Sequence, residues 1–263
     1  NRRGEGLGYF GLSGNIALAF GPSLGLTLAG VISFQMLFLI CAALGFIAFL
    51  LSTKIHYKKV EQSPAKTTPV KFDIFEKAAI QPSLLLFFIT VTFGGIATFL
   101  PLYTEEKGIA GIELYFLMFA IFLMISRTFA GKLYDTKGHL YVFLPGTFLI
   151  FIAMILLSWL PSTFVMLIAA SMYGLGFGSV QPALQAWAVD KSPANRKGMA
   201  NATFFSFFDL GVGIGALLFG QLAFMFNYAT IYATAAGSVF LSMSLYIFLL
   251  WKTRNHNKLQ PES

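Results

Sequence analysis

Charged residues are scarce in this chain: they make up 11% of its 263 residues, whereas 57% are hydrophobic and 30 are Phe. A typical soluble domain has about 25% charged residues, so this composition cannot cover a surface that faces water. The scarcity of charge excludes an ordinary soluble enzyme. It indicates a protein that crosses a membrane several times.

Side chains that could carry chemistry are also few. The single cysteine, Cys41, lies in an apolar segment, which excludes a disulfide framework and a thiolate metal site. The three histidines lie in or beside charged segments, and none has a partner at metal-ligand spacing. Hydrolase, zinc-protease and phosphate-loop motifs do not occur in the sequence. We therefore expect no catalytic residue, no metal and no cofactor, and a protein that is not an enzyme.

The positive charge that is present is unevenly distributed. Eighteen Lys and Arg against eleven Asp and Glu give a net charge of +7, a balance that on a soluble protein would suggest nucleic-acid binding. Here sixteen of the eighteen fall on one side of a predicted membrane topology, Lys107 falls on the other, and Arg127 lies within an apolar run. Because Lys and Arg accumulate in cytoplasmic loops, this asymmetry predicts a multi-pass protein of the cell membrane with both chain ends in the cytoplasm. It also predicts no nucleic-acid partner.

Apolar stretches long enough to cross a bilayer, about 20 residues each, occur eight times. They cover approximately 7–29, 34–51, 79–102 and 113–132, two parts of 140–189 separated at 158–162, and two parts after residue 198 separated at 227–228. The sequence therefore predicts an all-α membrane protein with eight transmembrane helices in contact with the lipid bilayer.

The longest polar stretch, 53–78, is rich in Lys, Thr and Pro and is typical of a linker between two membrane bundles. A short interfacial helix near residue 74 is the alternative. The predicted domains are the last two helices of a first bundle, a cytoplasmic linker, a six-helix bundle and a cytoplasmic tail: 1–52, 53–78, 79–251 and 252–263.

A weak internal repeat relates the first and seventh predicted helices. Four residues recur after a shift of 194, as Asn195, Arg196, Gly198 and Phe204 for Asn1, Arg2, Gly4 and Phe10. The repeating unit is therefore six helices, as in transporters built from parallel repeats. On this register four helices of the first unit would precede Asn1. We expect the chain to be helices 5 to 12 of a twelve-helix protein, with the missing N-terminal helices as its partners.

The segment after the fourth predicted helix carries a spaced pattern of four residues: Gly131, Leu133, Asp135 and Gly138. It resembles the major facilitator superfamily signature Gly-x-Leu-x-Asp-Arg-x-Gly-Arg, with Thr136 and His139 in place of two arginines. The resemblance implies that the loop aspartate binds the other half of the transporter. Asp135 is expected to accept hydrogen bonds at a helix N-terminus, where the helix dipole favours an anion.

The first predicted helix carries a second pattern of small and helix-bending residues: Gly8, Gly21, Pro22 and Gly25. It is similar to the antiporter motif of the drug:proton exporters in that superfamily, with Ala17 and Leu26 in place of two glycines. Generic small-residue packing is the alternative. The resemblance implies a twelve-helix fold of two six-helix repeats, the first incomplete here. It also implies secondary active transport by alternating access.

Polar residues inside the apolar runs are the candidates for coupling. Asp209 lies about ten residues into the seventh helix, roughly 15 Å deep, where a carboxylate is costly and indicates a function. We predict proton or substrate coupling for Asp209; a structural carboxylate bonded to a neighbouring helix is the alternative. Its counterpart in the repeat is Asn15. Arg127 is predicted to extend to the cytoplasmic surface and brace the segment that begins at Gly131.

The resemblance further implies that the third and sixth helices line a central cavity. Their candidates are Thr90, Thr98, Tyr103, Tyr173, Gln181 and Gln185. Glycine repeats at 174–178 and 211–215 lie in apolar helices, where close packing explains them better than nucleotide binding.

The resulting hypothesis is proton-coupled export of small amphipathic compounds, with a small-molecule substrate and protons as partners. A metabolite or sugar uptake permease of the same superfamily and a non-transporting truncated membrane protein are the alternatives.

Overall fold

The structure is a computed structural model that describes residue 17 and residues 20–54 and 75–258, with side chains described as far as 252. These residues form eight helices and no strand, and seven of the eight are long and apolar enough to cross a membrane. The prediction of an all-α fold with eight helices is confirmed. In chain order the helices are α1 (Phe20–Ala29), α2 (Phe34–Thr53), α3 (Lys77–Glu106), α4 (Ile112–Lys137), α5 (Leu140–Trp159), α6 (Thr163–Asp190), α7 (Lys197–Met225) and α8 (Tyr228–Lys258).

Several helices extend beyond the apolar runs that predicted them. α3 runs to Glu106 instead of residue 102, and α4 runs to Lys137 instead of residue 132. Hydropathy locates the hydrocarbon layer, but a helix can continue past that layer while keeping its internal hydrogen bonds. Side-chain caps set other ends: Ser162 Oγ accepts a hydrogen bond from the Val165 amide at the start of α6.

Helices α3 to α8 cross the bundle in alternating directions, so the loops fall at two ends. One end carries a set of lysines and is called the basic end below: Lys77, Lys137, Lys191, Lys197 and Lys252. At this end Lys191, which follows α6, contacts α3, because its Nζ donates a hydrogen bond to Gln81 Oε1 at 2.8 Å. At the opposite end, Thr163 Oγ1 donates to the carbonyl oxygen of Ala110 at 3.2 Å.

Glycines bring the backbones of neighbouring helices into close contact. A Cβ placed on Gly215 of α7 would lie 2.4 Å from the carbonyl oxygen of Val91 in α3. A Cβ on Gly174 of α6 would lie 2.6 Å from the carbonyl oxygen of Phe119 in α4. Lipid tails solvate apolar side chains as well as protein does, so close backbone packing stabilises such pairs inside a membrane. The packing role predicted for the two glycine repeats is confirmed at these positions.

Aromatic side chains fill the space between the helices of the bundle. The Phe93 and Phe177 rings of α3 and α6 stack with centroids 5.7 Å apart, and Tyr103 and Tyr232 of α3 and α8 stack at 5.5 Å. All four side chains are buried. The abundance of Phe in the sequence is thus used for the core as well as for the surface that faces lipid.

α2 differs from the other long helices because none of its residues is buried. Large apolar side chains such as Phe38 and Phe46 are 69% and 61% exposed, and Cys41 is exposed as well. In α1, Leu26 packs against the core of the bundle. The surface of α2 is therefore available to lipid or to further helices.

The start of α3 is attached to the start of α7. Glu76, which is buried, forms an ion pair with Arg196, and its backbone N–H donates to Thr203 Oγ1 at 2.9 Å. These contacts fix the point at which the chain enters the bundle.

We predict that Gly215→Ala destabilises the bundle by about 1–3 kcal/mol, because its methyl group would overlap backbone atoms of α3 that cannot move away. Gly213→Ala on the same helix is the matched control, since a Cβ there meets nothing within 4 Å. Unfolding of the purified protein in detergent micelles measures both. Equal unfolding free energies for the two variants would contradict the close approach of α3 and α7.

Candidate transport site

Asp209 carries an exposed carboxylate on the outer surface of α7, at a depth well inside the membrane. It lies twelve residues after Lys197, the first residue of α7, and therefore about 18 Å from the basic end. At 100° per residue it points away from Gly211 and Gly215, the positions that contact α3. In the described part of the chain its carboxylate has no hydrogen bond or ion pair. The alternative, a structural carboxylate bonded to a neighbouring helix, therefore finds no support among these residues.

The face of α7 that carries Asp209 includes small and polar residues beside the aromatic Phe205, which is 39% exposed. Ala202, Ser206 and Gly213 are exposed along it, and a Cβ on Gly213 would touch nothing. A charge at this depth is too costly to face lipid tails, so the face requires water or protein. Small residues at these positions allow another helix to approach closely.

Arg127 and Gln181 form a polar pair between α4 and α6. Arg127 Nη2 donates to Gln181 Oε1 at 2.7 Å, about 15 Å from the end of α4. The predicted extension of Arg127 to the membrane surface is wrong, because its guanidinium is held by α6 at the depth of the candidate cavity. Its Nε atom is buried without a hydrogen-bond partner in the described structure.

A second polar contact lies one helical turn nearer the basic end on α6. Gln185 Nε2 donates to Asn201 Oδ1 of α7 at 2.8 Å. The two amides join α6 to the helix that carries Asp209. The sequence offers no local signal for Asn201, because its partner lies sixteen residues earlier on a different helix.

The remaining cavity candidates separate into buried and exposed residues. Thr90 is fully buried, and its hydroxyl lies 2.0 Å from where a Cβ on Gly211 would be. Tyr173 is fully buried with its hydroxyl 2.9 Å from Thr92 Oγ1, and Tyr103 is 1% exposed. All three are buried between helices, as is Gln181 at 7% exposure, and their assignment to a cavity stays a prediction. Thr98 is exposed on α3.

The signature segment is helical in the structure, which corrects its prediction as a loop. Gly131, Leu133 and Asp135 lie in the last turns of α4, and Gly138 ends the helix with φ of 83°. Asp135 itself lies near the C-terminus of α4, and the predicted hydrogen bonds to the start of a helix in the other half stay a prediction, since the beginning of the first helix lies outside the described residues. The left-handed conformation of Gly138 explains the glycine there, since other residues rarely adopt it.

The glycine and proline motif of the first helix lies only partly within the residues that the structure describes. Gly8 and Asn15 lie outside the described residues. Gly21, Pro22 and Gly25 belong to α1, and a Cβ on either glycine would meet nothing within 4 Å. In the described structure the two glycines therefore contact no neighbouring helix.

The bundle defines the chain as a multi-pass helical membrane protein with a polar, charged face at membrane depth. A family model, the Major Facilitator Superfamily, matches residues 1–211. The chain belongs to this superfamily. Membership agrees with the prediction that the chain is not an enzyme, since the family is one of transporters.

Curated relatives of the chain are transporters of the same type. An uncharacterized MFS-type transporter of Methanocaldococcus jannaschii is 28% identical over 246 residues, which are 89% of this chain and 63% of the relative. An uncharacterized MFS-type transporter of Burkholderia mallei is 32% identical over 159 residues, or 59% of this chain and 39% of the relative. The chain thus spans less than two thirds of the length of either protein.

Solved structures share the fold. The crystal structure of a peptide transporter, POT, in complex with alafosfalin matches 65% of this chain and 38% of that chain, with a TM-score of 0.58 and 18% identity. The same transporter in complex with sulfate has a TM-score of 0.57 and 19% identity. At this identity the likeness establishes the fold alone.

We predict that Asp209→Cys reacts with a charged, membrane-impermeant thiol reagent, because Asp209 is exposed and water beside it removes the cost of its charge at this depth. Cys41→Ser provides the background, since Cys41 is the only cysteine of the chain. Leu218→Cys on the same helix is the control: Leu218 lines an apolar groove of about 720 Å³ between α3, α7 and α8 and is expected not to react. Reaction at 218 but not at 209 would contradict the assignment of the two faces.

Proposed function

We propose that the chain forms helices 5 to 12 of a twelve-helix, proton-coupled exporter of small amphipathic compounds that works by alternating access. The observation that carries the proposal is the uncovered Asp209 carboxylate at mid-membrane depth on α7. In a complete transporter this face lies against the other six-helix half or the water-filled cavity between the halves. Either environment removes the cost of exposing a charge to lipid.

The unburied surface of α2 supports the same arrangement. None of the residues of α2 is buried, so its surface is free to pack against further helices. Four additional helices would complete a first bundle with α1 and α2. The proposal keeps the predicted domains, with a linker over 53–78 between the two bundles and a C-terminal bundle over 79–251. It places the basic end of the bundle and both chain ends in the cytoplasm of the cell.

Coupling is assigned to Asp209, with Asn15 as its counterpart in the first repeat. Alternating access exposes the interface between the halves first to one side of the membrane and then to the other. A carboxylate on this interface can take up a proton on one side and release it on the other. Protonation removes the charge and favours the state in which the carboxylate is covered.

The substrate site is assigned to the polar residues that remain near this face. Gln181 and Gln185 supply amide groups on α6, and Arg127 supplies a cation that is already held by Gln181. Thr98 lies exposed on α3. These few polar groups suit a compound that is largely apolar and binds through one or two directional contacts.

We expect Asp209→Asn to abolish transport driven by a proton gradient in the full-length protein, because an amide cannot release a proton. Inverted membrane vesicles acidified inside and supplied with ethidium as an amphipathic probe measure the activity as dye accumulation. Glu113→Gln is the matched control, since Glu113 is a carboxylate in the first turn of α4 at the opposite end of the bundle. It is expected to retain transport.

Two results would contradict the proposal. Accumulation by Asp209→Asn equal to that of the unmodified protein would remove Asp209 from coupling. Dye movement in the reverse direction, or none for ethidium and other amphipathic dyes, would contradict export of such compounds.

A further inference from the structure

A small cavity with polar and apolar lining residues lies at the basic end of the bundle, apart from the face that carries Asp209. Its volume is about 180 Å³. Four helices border it, because its lining residues come from α3, from the start of α5, from the end of α6 and from α8: Gln81, His139, Trp187, Lys191, Tyr246 and Leu250. The transport proposal uses none of these side chains.

Two groups that can carry positive charge border the cavity. The Lys191 ammonium donates to Gln81 Oε1 at 2.8 Å and lies 4.7 Å from the centre of the Trp187 ring. His139 also stacks on Trp187, with its ring centroid 4.2 Å from that of Trp187 and an interplanar angle of 11°. Trp187 therefore holds both groups in fixed positions.

The His139 ring is oriented by α8. Its Nδ1 lies 2.7 Å from the buried Tyr246 hydroxyl, and Nε2 has no hydrogen-bond partner in the described structure. Since a protonated imidazole donates from both nitrogens, His139 in that state offers one N–H beyond its contact with Tyr246. The Lys191 ammonium likewise has three N–H groups, of which one is used by Gln81.

Neither cation is neutralised by a carboxylate within the described residues. The nearest acidic residue in sequence, Asp190, accepts a hydrogen bond from Tyr134 of α4. Two other acidic residues lie at this end of the bundle: Asp135 in the last turn of α4, and Glu76, which is paired with Arg196. Lys137 of α4 lies over Tyr141, and Lys252 lies in α8. The residues that line the cavity include no carboxylate, and their ionisable groups are Lys191, His139 and Tyr246.

The surroundings of both groups disfavour their charged forms. Burial lowers the pKa of Lys191, and burial followed by repulsion from Lys191 lowers the pKa of His139 below its ordinary value of 6.5. A bound anion would reverse both effects, because it stabilises the charged forms. Anion binding and protonation of His139 are thus expected to strengthen each other.

We propose that this cavity binds a phosphate-class anion through the Lys191 ammonium and the His139 imidazolium. The group is supplied either by the headgroup of an anionic phospholipid or by a soluble phosphate. Basic pockets between transmembrane helices on the cytoplasmic side are suited to anionic headgroups, and the apolar Leu250 and Trp187 side chains border the same cavity. The site is distinct from the transport face and does not require transport to be tested.

The test uses the purified protein in neutral detergent micelles and measures its thermal unfolding with inorganic phosphate against chloride at equal ionic strength. A bound anion raises the unfolding temperature because it stabilises the folded protein by an amount that grows with the logarithm of one plus the ratio of the anion concentration to Kd. In parallel, nanodiscs containing phosphatidylglycerol are compared with phosphatidylcholine nanodiscs. Phosphate also stabilises proteins through exclusion from their surface, so only stabilisation that Lys191→Gln removes supports the site. Such stabilisation by phosphate identifies a soluble ligand, and such stabilisation only by phosphatidylglycerol identifies the lipid headgroup.

Matched variants separate the site from general surface charge. Lys191→Gln is expected to weaken binding at least about tenfold, because it removes a charged hydrogen-bond donor. Lys197→Gln removes the same charge at the same end of the bundle, outside the cavity, and is expected to bind like the unmodified protein. Lys191→Arg keeps the charge and is expected to retain binding, which excludes misfolding as the cause of a loss.

The acid dependence provides an independent readout. Sulfate, whose charge stays constant over this range, is expected to bind more tightly as the pH falls below 6.5, and His139→Gln is expected to remove this dependence. The proposal is overturned if neither phosphate nor phosphatidylglycerol stabilises the protein, if Lys197→Gln weakens binding as much as Lys191→Gln, or if sulfate binding does not change with pH.

Discussion

The structure depends on the direct contact of helix backbones at glycine. Inside a bilayer, moving an apolar side chain from lipid to protein gains little, so the helices associate through close packing and a few polar contacts. Gly215 and Gly94 between α3 and α7, and Gly174 between α4 and α6, provide that contact. Aromatic rings fill the remaining space, and the bundle holds its candidate site at a fixed depth.

Because the α3 side of α7 is occupied by glycine packing, Asp209 is left on the opposite side of the helix. α6 does not show this division, because Gln181 binds Arg127 of α4 on the side where the α6 glycines also pack against α4, and Gln185 binds Asn201 of α7. In α7 the side that packs and the side that carries Asp209 are different sides of the helix. In our proposal the Asp209 side of α7 meets the other half of the transporter.

The basic end of the bundle has its own organisation. Glu76 and Arg196 attach the chain to α7 where it enters the bundle, and Trp187 positions Lys191 and His139 around a separate cavity. His139 stands where the superfamily signature has arginine. An arginine there would keep its charge at every physiological pH, whereas a histidine makes the charge depend on pH.

The sequence by itself determined the class of the protein and the number and order of its helices, because hydropathy over about 20 residues reflects the thickness of the bilayer. The superfamily followed from the spaced residues that begin at Gly131. It could not determine which side each helix turns toward its neighbours. Thr90 and Tyr173 were predicted to line a cavity and are buried, while Arg127 was predicted at the surface and is bound to Gln181. These outcomes depend on contacts between residues far apart in the chain, such as Arg127 and Gln181, whose sequence separation is 54. Only the packing of the folded helices, set by where glycines allow close approach, decides them.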